Sequence, residues 1–176
     1  TTPNVERYQL AIEILNRVAD LCGVSPSVPS SVVEDAESRF AKARETVSKH
    51  DYAVGIMLPD IGGREMTMYG EGTLPDAVLR KLGLANVWKG PVNGTGMARV
   101  GLDRLMESAD AAFLVVDIPS QRVQTERSLQ QNTMWKLLRP VRDGRVAWLN
   151  QFHPFGGVPS AAHLADLIAS ALENMA

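Results

Sequence analysis

The residue types with the most chemical potential gather near the C-terminus, where Phe152, His153 and Phe155 stand within four positions beside Gly156 and Gly157. Two aromatic faces on a glycine loop supply apolar contact area, and an imidazole between them can donate or accept a hydrogen bond. Such a set suits recognition of a bulky ligand better than bond breaking. The alternative is that both phenylalanines fold into the core. Trp88 follows a glycine turn and either lines a cleft or packs beneath it. Thr67 alternates with Met66 and Met68 along a strand-like stretch, so one face is buried and the face of Thr67 can approach a cleft.

Groupings that would support catalysis are thin. Asp117 closes the apolar run AAFLVVD, and an acid at a strand end is common in doubly wound α/β enzymes, so a small enzyme of that kind is the rival reading. No Gly-x-Ser-x-Gly elbow, paired histidine or dinucleotide fingerprint supports it. The segment GPVNGTG lacks the Gly-Lys-Ser/Thr ending of a phosphate loop and reads as an ordinary loop. His50, His153 and His163 are scattered, with no carboxylate at metal-ligand spacing, so neither a metal site nor a cofactor is expected. A third class, an interaction module using only its surface, would show itself by an unpaired apolar face.

Bulk properties narrow the field. With 176 residues, 45% of them hydrophobic, the chain can build one domain with a sizeable core plus an extra element. A formal charge of -2 supplies no basic field for nucleic acid. The single cysteine, Cys22, excludes an internal disulfide and is expected as a small buried hydrophobe. No apolar run approaches the roughly 20 residues that span a bilayer, and no signal peptide opens the chain, whose start reads like that of a mature or trimmed chain.

Two kinds of texture must position these residues. Over residues 4–22, Val5, Tyr8, Leu10, Ala11, Ile14, Leu15, Val18 and Leu21 recur at helical spacing, with Asn4 as N-cap. The stretch GVSPSVPSS interrupts the pattern, and Ser31 with Glu34 forms a capping-box signature for a second helix to about His50. Beyond Asp51, short apolar stretches (YAVGIML, EMTMYG, ARVGLDRL, AAFLVVD, GRVAWLN) alternate with helical ones, which predicts an α/β fold with a mostly parallel sheet flanked by helices. The boundary therefore falls between a helical segment, 1–50, and an α/β domain, 51–176. In such a sheet, ligand groups belong on loops at the strand ends, here 58–64, 88–95, 117–121 and 151–157. Arg64 is singled out as a nearby cation, and the weak positive charge of these loops speaks mildly against a highly anionic ligand. Trp135 and Trp148 fall within helical and strand patterns and are expected in the core.

Four stretches together resemble the C-terminal lobe of class III periplasmic binding proteins, especially those for ferric hydroxamate siderophores. They are YGEGTLPDAVLRKLGLANVWKG with its Asn-x-Trp, GMARVGLDRLMESADAAFLVVD, MWKLLRPVRDGRVAWLN, and FHPFGGVPSAAHLADLIASAL. The third is the most specific. The resemblance covers 52–176 well and 4–50 more loosely, the latter as the long helix that joins the two lobes of such proteins. It implies a periplasmic solute-binding component of an ABC-type importer, with a ferric siderophore held in a cleft of which this chain supplies one half. An N-terminal lobe and a membrane permease are the implied partners.

A ferric siderophore brings its iron fully coordinated, so the protein need supply only aromatic surface and a few polar groups. The resemblance points to Trp88, Asn93, Thr95, Phe152, His153 and Phe155, with Thr67 added from its strand pattern. Where such proteins often carry further Trp and Tyr, this sequence has Thr95, His153 and Pro154, which leaves the siderophore open, and catecholate, ferric citrate, haem or a corrinoid are the alternatives. Family members also dock on their transporter through acids, and the matching region here holds Glu71 and Asp76. Acids at a helix start are equally explained by the helix dipole.

Overall fold

The computed structural model describes residues 7–175. Asn4, expected as an N-cap, and Val5 lie outside them. The order of elements is α1 (Arg7–Leu21), α2 (Ser27–Val47), β1 (Ala53–Pro59), β2 (Glu65–Tyr69), α3 (Leu74–Lys81), β3 (Met97–Gly101), a 3-10 turn (Leu102–Leu105), β4 (Ala111–Val116), α4 (Arg122–Gln131), α5 (Thr133–Leu137), α6 (Arg139–Arg142), β5 (Val146–Leu149) and α7 (Val158–Glu173).

The five strands form one sheet in the order β3-β2-β1-β4-β5. β1, β4 and β5 pair in parallel, while β2 pairs antiparallel with both β1 and β3. β3 therefore runs with β1, and only β2 is reversed, so the sheet is mostly parallel as its alternating texture predicts. β4 is buried at every position, which is why its sequence is apolar throughout rather than alternating.

Two hydrophobic layers cover the faces. On one, α7 presents Ala161, Leu164, Ala165, Ile168 and Leu172 to α2, which answers with Ala36, Phe40, Ala43 and Val47. The alanines let the two helices approach closely, and Arg39 ties them at the surface through Asp166 at 2.6 Å. On the other face, α4, α5 and the 3-10 turn cover Met57, Met66, Met68 and Phe113 with Leu129, Trp135, Leu102 and Leu105. Trp135 is core, as its pattern predicts; Trp148 is half-buried at the strand ends.

Two expectations about the helical segment are corrected. α2 begins at Ser27, four positions before the capping box, and Ser31 lies inside the helix with its hydroxyl donating to the Val28 carbonyl at 2.9 Å. Proline misled the reading: Pro26 and Pro29 sit where the helix has no intrahelical use for an N–H, so they start a helix instead of breaking it. Cys22 is exposed rather than buried, because α1 has ended by then and the turn to α2 runs along the surface.

α1 is anchored by one polar cluster. Tyr8 stacks edge-on against Phe40 with ring centroids 5.2 Å apart, and its hydroxyl donates to Glu37 at 3.0 Å. Lys81 pairs with Glu37 at 2.8 Å and lies 4.7 Å from the Tyr8 ring centroid, so α1, α2 and α3 meet at a single charge. Burial first, and then the Glu37 carboxylate, push the Tyr8 phenol well above the usual tyrosine range. Among the described residues no helix is long and apolar enough to cross a membrane.

Candidate functional site

With its inner side fixed by Tyr8, α1 turns Leu10 and Ile14 toward a cavity of about 200 Å³. Three further segments close it: the turn 72–74 that opens α3, Thr95 from the loop before β3, and 154–157, which lead into α7. The N-termini of α3 and α7 thus both open on this cavity. Thr73 caps α3, its hydroxyl accepting from the Asp76 N–H at 3.2 Å while donating to the Gly70 carbonyl at 2.7 Å.

The loop carrying Thr95 owes its shape to Asn93, whose side-chain oxygen accepts from the Thr95 N–H at 2.9 Å, the Thr95 hydroxyl at 2.6 Å and the Met97 N–H at 3.0 Å. Gly70 and Gly96 let this loop lie against the 72–74 turn. The Gly70 N–H donates to the Gly96 carbonyl at 2.9 Å. A Cβ on Gly70 would meet Val92 at 2.5 Å and Trp88 at 2.8 Å, and one on Gly96, whose φ is +80°, would meet Thr73 at 2.7 Å. Beneath them, Asn86 is buried and donates to the Tyr69 carbonyl at 2.9 Å and the Asp76 carboxylate at 2.8 Å, while its own oxygen accepts from the Trp88 N–H at 3.0 Å.

Of the residues singled out from sequence, Thr95 and Phe155 line the cavity, and Phe155 is 71% exposed. Asn93 braces the loop beside them. Trp88 is half-buried against Gly70 and Gly90 and donates from its indole to the Pro91 carbonyl at 3.2 Å, a packing role beneath the loop. Phe152 is corrected: it is 6% exposed and packs on Tyr69 with ring centroids 5.7 Å apart, inside the core rather than on the rim. His153 is exposed outside the cavity lining, and half-buried Thr67 lies mid-sheet between Leu58 and Arg99.

The two acids at the start of α3 also separate. Glu71 is exposed, whereas Asp76 is 5% exposed and pairs with Arg80 at 2.8 Å and Asn86. A carboxylate spent inside the fold offers no docking surface, so the pairing of Asp76 with Glu71 as docking acids is corrected. Asp117 holds Arg122 at 3.1 Å, and that guanidinium lies 3.7 Å from the Trp148 ring centroid. Among the described residues no group of three His, Cys, Asp or Glu side chains is gathered as a metal site would require.

Sequence reading missed Arg7, Leu10, Ile14 and Thr73. The signal existed in part, because the apolar residues of α1 are spread too widely around the helix for one buried stripe: Tyr8 and Ala11 face inward, whereas Ile14, Val18 and Leu21 are exposed. Arg64, expected as the nearby cation, is exposed and not part of the lining, where the charged residue is Arg7.

The fold is shared with solved siderophore-binding proteins. The chain is similar in sequence to the iron(3+)-hydroxamate-binding protein FhuD of Escherichia coli K12, 27% identical over 167 residues that make up 95% of this chain and 55% of the relative. It shares its fold with Vibrio cholerae FhuD bound to Fe3+-Desferal, with a TM-score of 0.86 at 22% identity over 97% of this chain and 64% of that one. The triscatecholate-siderophore-binding protein FeuA of Bacillus subtilis, in complex with ferri-bacillibactin, shares the fold with a TM-score of 0.67 at 15% identity over 83% of this chain and 53% of that one. No family model matches the sequence. The chain thus spans little more than half the length of this curated relative, E. coli FhuD.

Proposed function

We propose that this chain is the C-terminal lobe of a siderophore-binding component of an ABC importer, contributing one wall of a cleft that holds a ferric siderophore. The observation that carries the reading is the cavity beside Phe155. It joins apolar helix surface, an exposed aromatic and two threonines on a lobe whose fold is that of siderophore binders. Its volume of about 200 Å³ lies below the roughly 300–1,000 Å³ that enclose a drug-sized ligand, which suits half of a shared site. The relatives' further length supplies room for the opposing lobe.

In this role the chain provides contact surface and hydrogen bonds, and the chelator provides the iron ligands. The whole protein works outside the cytoplasmic membrane and passes its cargo to a permease, with Glu71, exposed in the turn before α3, as a docking acid. Calorimetric titration of the two-lobed protein that contains this chain with ferric desferrioxamine, ferrichrome, a ferric tris-catecholate and ferric citrate tests the proposal. Saturable one-to-one binding of at least one chelate, absent for the iron-free chelator, is expected. Absence of binding for all four contradicts it.

A further inference from the structure

Arg7 introduces charge where the candidate loops carry little. Its Nε donates to the Gly72 carbonyl at 2.7 Å, which pins the guanidinium to the rim of the turn that opens α3. That bond uses one of five N–H donors and leaves the terminal nitrogens for another partner. Among the described residues the lining of the cavity includes no Asp or Glu, the nearest in sequence being Glu71 beside Gly72, and no carboxylate pairs with Arg7. Arg39, Arg80, Arg99, Arg122, Arg139 and Arg145 each sit against an Asp or Glu, and Arg44, like Arg7, bonds a backbone carbonyl; what distinguishes Arg7 is its place in the lining of the cavity.

We infer that Arg7 makes this cleft select ferric chelates by charge, favouring those that carry an anionic arm and disfavouring those that end in an ammonium group. The inference rests on the siderophore-binding reading and deepens it by naming the part of the ligand that this wall reads. The cavity admits one arm of a chelate: the arm lies along Leu10 and Ile14 and its terminal oxygen meets the guanidinium, while Phe155 covers it from the other side. Guanidinium and carboxylate match as a two-pronged hydrogen-bonded pair, which a carbonyl oxygen satisfies only in part and an ammonium group opposes. Because Arg7 is exposed, the preference is screened by salt.

The test uses one iron chelate in three charge forms, so that size and metal coordination stay fixed: ferric desferrioxamine with its free terminal amine, the N-acetylated form, and the N-succinylated form. Dissociation constants are measured for the two-lobed protein that contains the unaltered chain, Arg7→Lys or Arg7→Gln, at low and high salt. The unaltered chain should bind the succinylated form tightest and the amine form weakest, with steps on the order of three- to tenfold per unit of charge. Arg7→Gln should collapse the order to within about twofold, Arg7→Lys should keep most of it, and high salt should compress it. An order that survives in Arg7→Gln, or three equal affinities in the unaltered chain, overturns the role of Arg7 while leaving siderophore binding intact. Absence of binding for all three forms removes the functional reading and this inference with it.

Discussion

Replacing Asn86 by Ala should destabilise the fold out of proportion to its size. The side chain is 3% exposed and serves three groups at once: the Tyr69 carbonyl, the Asp76 carboxylate and the Trp88 N–H. A buried polar group left without a partner costs roughly 1–3 kcal/mol, more if charged. Asp76 keeps Arg80 at 2.8 Å, and hydration of the space left behind lowers the sum, so a loss of about 3–4 kcal/mol is expected. For a chain of 176 residues that corresponds to a fall of roughly 10 °C in Tm. Urea denaturation followed by tryptophan fluorescence measures it, with a lower midpoint and an unchanged slope. Asp76→Ala combined with Asn86→Ala should cost less than the sum of the single changes by about 1 kcal/mol or more, because both remove the same bond. A loss below about 1 kcal/mol for Asn86→Ala, or simple additivity with Asp76→Ala, would refute the claim that this network holds the strand ends under the site.

Further outcomes follow from the same structure. Phe155→Ala should change stability by less than about 0.5 kcal/mol yet weaken chelate binding, whereas Phe152→Ala should cost about 3–4 kcal/mol, both read by denaturant melts. Burial raises all three tyrosines, Tyr8, Tyr52 and Tyr69, with Glu37 adding to the effect at Tyr8 and Arg145 opposing it at Tyr52. Phenols whose folded values lie above the unfolded ones stabilise the fold below the ordinary value of about 10, and that contribution is lost as pH climbs through the folded values. An alkaline absorbance titration should therefore show phenolate appearing above the ordinary range, or together with unfolding. Cys22 should react with a thiol reagent in the native state with one equivalent and no denaturant, because it is exposed; protection until unfolding would contradict its placement.

The larger architecture was legible because its signals are periodic. β4 is apolar throughout and β2 alternates, so their burial follows from counting residues. What escaped was information that depends on three-dimensional neighbours. Asp76 looks like a surface acid at a helix start until Asn86, ten positions later, turns out to donate to it. Phe152 and Phe155 are identical in type and three positions apart, yet a turn sends one into the core against Tyr69 and the other into the open. The start of α2 was missed because proline both breaks helices and opens them, and only context decides. Arg7 could not be tied to the site from sequence, since its partner Gly72 lies 65 residues away.

The most direct test of the account is an amide NMR map of the chain titrated with the gallium form of desferrioxamine, a diamagnetic substitute for the ferric chelate. The account expects saturable shifts concentrated at Gly72, Thr73, Leu74, Thr95, Phe155 and Gly157, with the Arg122 and Trp148 region unmoved. Shifts centred on Arg122 and Trp148, or no saturable shifts under conditions where calorimetry shows binding, would contradict the placement of the site.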